Sequence, residues 1–387
     1  MGAGNPPPAL TGRSAELGQF WRLLGRLSAG KHEQSLVLWG LRGVGKTVLL
    51  LEFQAIAERE FDWIAPAPIE IKSDTDFRAE LAELTFQALK ALSVRRKVGD
   101  RLKRFGGLLK GFKLATTGGG DVTFSFDAAD VDAVASTGNL ERDLTALLVE
   151  VGEVAREHDT GIVYLIDEMQ FLGRGDMEAL AAAMHRMSQL GLPVALVGAG
   201  LPQLPGQLVD AKSYAERLFS YLRLDRLDDA AARAAWELPV HSQGARFEED
   251  PDPLAELVRL SGGYPAFIQA YGKGVWDAAP GPAITLEDVA HAAPEVRTRL
   301  DDEFFHTRFA KATRAEQRYM AALAALGDGP QSSSGAAARL GSTTSKQSVI
   351  RDSLIKKGLI YSPRYGQLDF TVPQFADYVR RCEPLMP

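Results

Sequence analysis

Cysteine is nearly absent from this chain: the only thiol is Cys382. A lone cysteine excludes an internal disulfide framework and a cysteine-built zinc site, and it fits a reducing compartment. Histidine is sparse too. The six histidines are scattered without an i, i+4 pair, so no histidine metal cluster is expected. Long apolar runs are also missing. The nearest, LPVALVGAGLPQLPGQLV at 192–209, is interrupted by Gly, Pro and Gln, so no membrane-crossing helix is expected. The opening MGAGNPPPAL has neither the basic start nor the apolar stretch of a signal peptide. Pro6 stands where a myristoylation signal carries Ser or Thr. Together these absences make a cytoplasmic protein the expectation.

What is present is ordinary in bulk and uneven in charge. The 387 residues, 45% hydrophobic and 24% charged, leave room for two or three domains and a sizeable core. The net charge of -6 conceals two basic regions. Residues 310–387 hold eleven Lys and Arg against six Asp and Glu, and residues 94–113 hold eight against Asp100 alone. Basic islands in an acidic chain point to a polyanionic or acidic partner.

The most specific motif is WGLRGVGKT at 39–47. The spacing Gly40-x-x-x-x-Gly45-Lys46-Thr47 is that of a phosphate-binding loop, with Gly43, Val44 and Val48 inside or beside it. Its backbone N–H groups would converge on phosphates at a helix N-terminus. Lys46 would reach the outer phosphates, and Thr47 would hold Mg²⁺. ATP and Mg²⁺ are therefore the expected cofactors. The second half of such a site is GIVYLIDE at 161–168, an apolar strand ending in two acids. There Asp167 would join the Mg²⁺ shell and Glu168 would polarise the attacking water. An acid pair in this place favours hydrolysis over binding alone, which makes an ATPase the expected enzyme.

The pattern around these motifs is an α/β one. SLVLWG, WIAPAPIEIK, GIVYLIDE, PVALVGAG and YLRLDRL read as strands, with helices between them. Strands without period-2 alternation indicate a parallel sheet covered on both faces. In LERDLTALLVEVGEVAREH, Leu140, Leu144, Leu147, Val151 and Val154 form one helical stripe. The expected division is a P-loop ATPase core over 1–227, a helical lid over 228–310 and a winged helix-turn-helix over 311–387. A basic insertion at about 94–126 interrupts the core; FKLATT and VTFSFD within it are expected to pair as a hairpin around Phe112, Val122, Phe124 and Phe126.

These motifs carry a family resemblance. LTGRSAELGQFWRLL at 10–24 resembles a segment of AAA+ and STAND ATPases that precedes the first strand. Together with Gly40–Thr47, Asp167–Glu168 and the C-terminal helices, the order is similar to the origin-recognition and archaeal replication-initiator ATPases. The resemblance implies that Gly12 and Arg13 line the adenine pocket. It also reveals two departures. The strand after the acid pair ends in Gly198, Ala199 and Gly200 where the initiators carry a polar sensor. The lid has Pro265, in SGGYPAF, near the place of their phosphate-binding arginine. Gly263-Tyr264-Pro265 instead resembles the G-x-P element of STAND switches, whose proline packs near adenine; a plain helix stop and start accounts for it equally well. The family also implies an arginine finger for a neighbouring subunit, and Arg217 is the residue in that position. Two lost γ-phosphate contacts imply slow or partner-stimulated hydrolysis, a switch more than a motor.

The C-terminal basic balance raises the question of DNA. In TTSKQSVIRDSLIKKGLI, Ile350 and Leu354 mark the core side, placing Ser345, Ser348, Asp352 and Lys356 opposite. Ser345 and Ser348 could meet phosphate or base edges, Lys356 and the wing-tip Arg364 phosphate, whereas Asp352 would be repelled. Arg95, Arg96, Lys103 and Arg104 of the basic island could grip a nucleic-acid backbone. The same island could instead lie on an anionic membrane surface, dock an acidic protein surface or self-associate, or remain a solvated face. DNA binding and a protein-partner switch, in which the C-terminal unit clamps the nucleotide domain, both stay open.

Overall fold

The computed structural model describes residues 6–72, 75–96 and 139–382, with side chains as far as residue 92 in the second stretch. The expected hairpin, Lys103, Arg104 and the side chains of Arg95 and Arg96 lie outside the described residues.

Five strands form the central sheet: β1 Ser35–Trp39, β2 Ile69–Glu70, β3 Ile162–Asp167, β4 Val194–Gly200 and β5 Phe219–Arg223. Their order is β2-β3-β4-β1-β5, and every pairing is parallel. The fully buried runs of β3 and β4 explain the lack of alternation in the sequence, since helices cover both faces. On one face Phe20, Leu23, Leu49 and Phe53 pack from the helices Ser14–Ser28 and Lys46–Glu60. On the other, the helices Phe77–Arg96, Leu140–Glu157 and Arg174–Leu190 bring Leu81, Leu147, Val151 and Met184 against Tyr164 and Leu196. Of the predicted stripe, Leu144, Leu147, Val151 and Val154 are buried and Leu140 is half-buried. The sheet thus directs the C-terminal ends of β1, β3 and β4 toward one edge, where ligands of open α/β sheets bind.

After β5 the chain is mostly helical. Helices Asp229–Ser242, Pro253–Ser261 and Leu286–Arg299 start on caps supplied by Asp228, Asp252 and Thr285. The fourth, Pro265–Ala278, begins with a proline whose missing N–H costs nothing at that position. A π-helical stretch, Leu300–His306, and one further turn, Thr307–Phe309, lead out of this group.

The final unit contains helices Arg314–Ala324, Ser333–Arg339, Ser348–Lys356 and Phe375–Cys382. A three-stranded antiparallel sheet joins them, with Gln367–Phe370 between Gln331–Ser332 and Ile360–Tyr361. The helix expected over 344–358 starts later than the sequence suggests, at Ser348. Ser345 therefore lies in the preceding turn, where its carbonyl accepts the Ser348 hydroxyl at 2.8 Å. The lid helices and this unit share one apolar cluster running from Leu227 to Val379. Phe305 of the π-helical stretch sits at its seam, 5.9 Å from Phe375 and 5.5 Å from Tyr378 between ring centroids.

A buried carboxylate ties the unit together. Glu316, 3% exposed, accepts from Thr313 N at 2.6 Å, Ser353 Oγ at 2.7 Å and Lys357 Nζ at 2.7 Å. Burial acts to raise its pKa, but these bonds overcome it and hold the carboxyl at about 2, below its ordinary 4.5. A depressed folded pKa contributes stability above the unfolded value, which is lost as pH falls from 4.5 toward 2. Glu316→Gln should remove about 2–3 kcal/mol near neutral pH and flatten the acid-side decline. Chemical denaturation across pH 2–7 checks both; an unchanged acid limb would show that Glu316 is not the titrating group.

Candidate nucleotide site

The loop 40–47 leaves β1 at the sheet edge and turns directly into the helix Lys46–Glu60. Gly43 and Gly45 have φ of 81° and 95°, which residues with a Cβ rarely adopt. Gly40 is needed for a different reason: a Cβ there would lie 2.2 Å from the Leu224 carbonyl oxygen. The loop is pinned at its base, where Gly40 N donates to Gly200 O at 3.2 Å.

Lys46 is buried, and its ammonium donates to the loop carbonyls of Gly40 and Leu41 at 3.0 and 2.8 Å. Burial pushes its pKa down to about 8 against the opposing pull of Glu168 and Asp167. The Thr47 hydroxyl donates to Asp167 Oδ2 at 2.5 Å. This brings together, across 120 residues, the two groups assigned to a divalent cation. Burial raises the Asp167 pKa despite that hydrogen bond. A threonine hydroxyl beside a carboxylate, next to positive-φ loop amides, is a donor set suited to Mg²⁺ with a polyphosphate.

Glu168 has the unusual φ of 54°, which turns its carboxylate off the strand axis. Arg42 holds one oxygen at 3.3 Å, and the Gln170 amide donates to the other. Gln170 is buried, and its Oε1 accepts Leu201 N at 3.0 Å. This glutamine therefore bridges the Glu168 carboxylate and the end of β4. The glycines at that end have no space for a larger residue: a Cβ on Gly198 would meet Met169 Sδ at 2.1 Å, and one on Gly200 the Gln170 Oε1 at 2.7 Å.

A cavity of about 920 Å³ opens above the loop, within the size range of small-molecule sites. Arg13, Gly43, Val44, Gly45, Lys46, Thr47, Val48, Glu168 and Pro265 all line it. Arg13 is 6% exposed and fixed by hydrogen bonds to Val44 O and Asp225 O at 3.0 and 2.8 Å. Gly12 is set back, with its Cα side against Ala231. Gly40 and Asp167 lie behind the lining as supports. Pro265 opens a helix whose second amide, Ala266 N, donates to Gly43 O at 3.1 Å, so the lid touches the phosphate loop directly.

Arg217 is exposed and outside the cavity lining. Ser345, Lys356 and Arg364 are exposed and Ser348 is half-buried; none lines the cavity. Asp352 is paired with Arg351 at 2.8 Å. Three residues that the sequence did not single out join the site: Arg42, Gln170 and Arg308. Arg42 could have been suspected from its place inside the motif; the other two carry no local signal.

Comparisons with known proteins agree with this geometry. Residues 9–197 match the family described as AAA ATPase domain. Residues 302–379 match a domain of unknown function, DUF8462. No curated protein matches the chain. A Walker-type ATPase of Pyrococcus abyssi is 15% identical, with 97% of this chain and 98% of that chain covered at a TM-score of 0.59. The Aeropyrum pernix ORC1 protein in complex with DNA is 17% identical, covering 97% and 94% at a TM-score of 0.43. A Thermotoga maritima RuvB variant is 15% identical, covering 97% and 96% at a TM-score of 0.46. The five-stranded parallel sheet, the glycine loop over it and the match over residues 9–197 make the N-terminal part of this chain an AAA-type ATPase domain with the P-loop NTPase fold.

Proposed function

We propose that the chain is a slow, Mg²⁺-dependent ATPase that works as a nucleotide-controlled switch, with DNA as the ligand of its C-terminal unit. In this reading residues 1–227 are the catalytic core, 228–310 the lid and 311–387 a winged helix-turn-helix. The observation that carries it is a contact at the phosphate loop. Arg42 N donates to Thr371 O at 2.9 Å while the Arg42 side chain pairs with Glu168. One loop residue thus joins the group that would orient water to the unit that would bind DNA. Mg²⁺, held by Thr47 and Asp167, would supply charge neutralisation on the phosphates. Lys46 then binds the outer phosphates, and Glu168 takes the proton of the attacking water.

The C-terminal unit faces the core through Gly358 and Thr371, and presents Ser345, Lys356 and Arg364 to solvent. That leaves the proposed phosphate-contacting side accessible. A protein partner is the second reading, favoured by Val349 at 78% exposure and Tyr365 at full exposure on the same unit. Arg217, exposed beside β5, would serve as a finger only for a neighbouring copy.

Filter binding of duplex DNA with and without ATP, over a range of salt, separates the two. DNA binding should be nucleotide-dependent and lose affinity steeply with salt, with a slope of about 0.9 per phosphate contact. Neutralising Arg95, Arg96, Lys103 and Arg104 should flatten that slope without altering sequence preference, whereas Ser345 and Ser348 substitutions should change preference alone. Absence of DNA binding in every nucleotide state would transfer the output to a protein partner.

A further inference from the structure

The cavity holds more cationic groups than a phosphate loop requires, and they differ in how they are partnered. Arg13 pairs with Glu16, Arg42 with Glu168, Lys273 with Asp277 and Arg299 with Glu295. Lys46 and Arg308 line the same cavity and, among the described residues, neither has a carboxylate within ion-pair distance. Lys46 is the known type of phosphate ligand. Arg308 has no such assignment.

Arg308 lies in the turn Thr307–Phe309 and lines the same cavity as the loop. Its guanidinium stacks over the Phe304 ring at 3.9 Å and donates to the Phe304 carbonyl. Those contacts aim the group while using only part of its five-donor fork. Phe304 itself approaches Gly43 of the loop, so the stack is registered against the phosphate cradle. Burial and the nearby Arg42 push the Arg308 pKa down to about 10, with Glu168 opposing. A desolvated guanidinium beside a second one is costly until an anion joins them. The charged groups acting on it, Arg42 and Glu168, mark the end of the cavity where water would attack. That is the γ-phosphate end, since the loop amides take the inner phosphates.

We propose that Arg308 contacts the γ-phosphate from within the same chain and lets the cavity distinguish ATP from ADP. It fills the role left open by Pro265 on the lid. The assignment rests on the ATPase reading above. Arg308 also stands five residues before Thr313, the cap of the helix Arg314–Ala324. The residue that senses the third phosphate is thereby attached to the C-terminal unit.

The test compares ADP with the β,γ-imido analogue of ATP by calorimetry, in wild type, Arg308→Ala and Arg308→Lys. Arg308→Ala should bind the analogue about tenfold or more weakly and ADP unchanged, the loss of one charge-assisted contact to the extra phosphate. Its turnover should fall about 10²-fold or more. Arg308→Lys should lie between and melt with wild type, separating a lost contact from a lost fold. Mixing Arg308→Ala with Glu168→Gln should restore no turnover, because both groups act on one nucleotide in one chain. Equal weakening of both ligands, no weakening of either, or recovery on mixing would each overturn the assignment while leaving the ATPase intact. Wild type that binds neither nucleotide would remove the ATPase reading, and this assignment with it.

Discussion

Glu168→Gln should retain ATP yet release phosphate about 10²–10⁴-fold more slowly than wild type, the usual range for losing a positioned base. The substitution keeps the side chain's size and one acceptor for the Gln170 amide, but loses the charge that pairs with Arg42. Structure should therefore survive while proton transfer fails. Lys46→Ala should behave in the opposite manner. It removes the buried ammonium set among the loop carbonyls, so binding itself should disappear. A fluorescent nucleotide titration and a phosphate-release assay on the same samples distinguish the two. Equal turnover in wild type and Glu168→Gln would assign water activation to another residue.

Gly198→Asn should destabilise the protein by about 3–5 kcal/mol, combining overpacking with a buried amide lacking partners. On family resemblance it looks like a repair, since it returns a polar residue to the end of β4. The geometry argues otherwise, because Met169 Sδ already occupies the volume that a Cβ would need. Its polar function is also taken, as Gln170 reaches from behind Glu168 to the amide of Leu201. Adding Met169→Ala to Gly198→Asn should recover part of the loss by making space. Urea melts of the single and double variants measure both effects. A Gly198→Asn protein as stable as wild type, with faster hydrolysis, would show that the end of β4 truly lacked a sensor.

The sequence made the central chemistry legible because its parts are local. Gly40–Thr47 is contiguous, and Asp167 and Glu168 end a single apolar strand. The helical character of residues 228–310 was readable as well. Less visible were residues whose roles depend on where a side chain ends up. Gln170 follows the acid pair by two positions, but only the αL turn at Glu168 sends its amide back to that carboxylate. Arg308 lies far from the loop in sequence and meets it only in the folded cavity. Short elements fail for a related reason. Gln331–Ser332 becomes a strand because Gln367 and Leu368 pair with it, and two residues carry no periodicity of their own. The start of the helix at Ser348, which leaves Ser345 outside it, carries no local signal, because Gln347 at its N-cap makes no side-chain cap bond.

The contacts of the phosphate loop bear on timing as well as chemistry. Ala266 of the lid and Thr371 of the C-terminal unit each bond the loop backbone, at Gly43 and Arg42. The loop that would hold a nucleotide is thus braced by two segments distant from one another in the chain. If the proposed cycle couples ADP release to movement of these segments, release would break bonds that the chemical step does not touch. Under the proposed switch reading, dwell time in each state would follow the breaking of these two contacts, and a bound partner would lengthen or shorten that interval by bracing one of them.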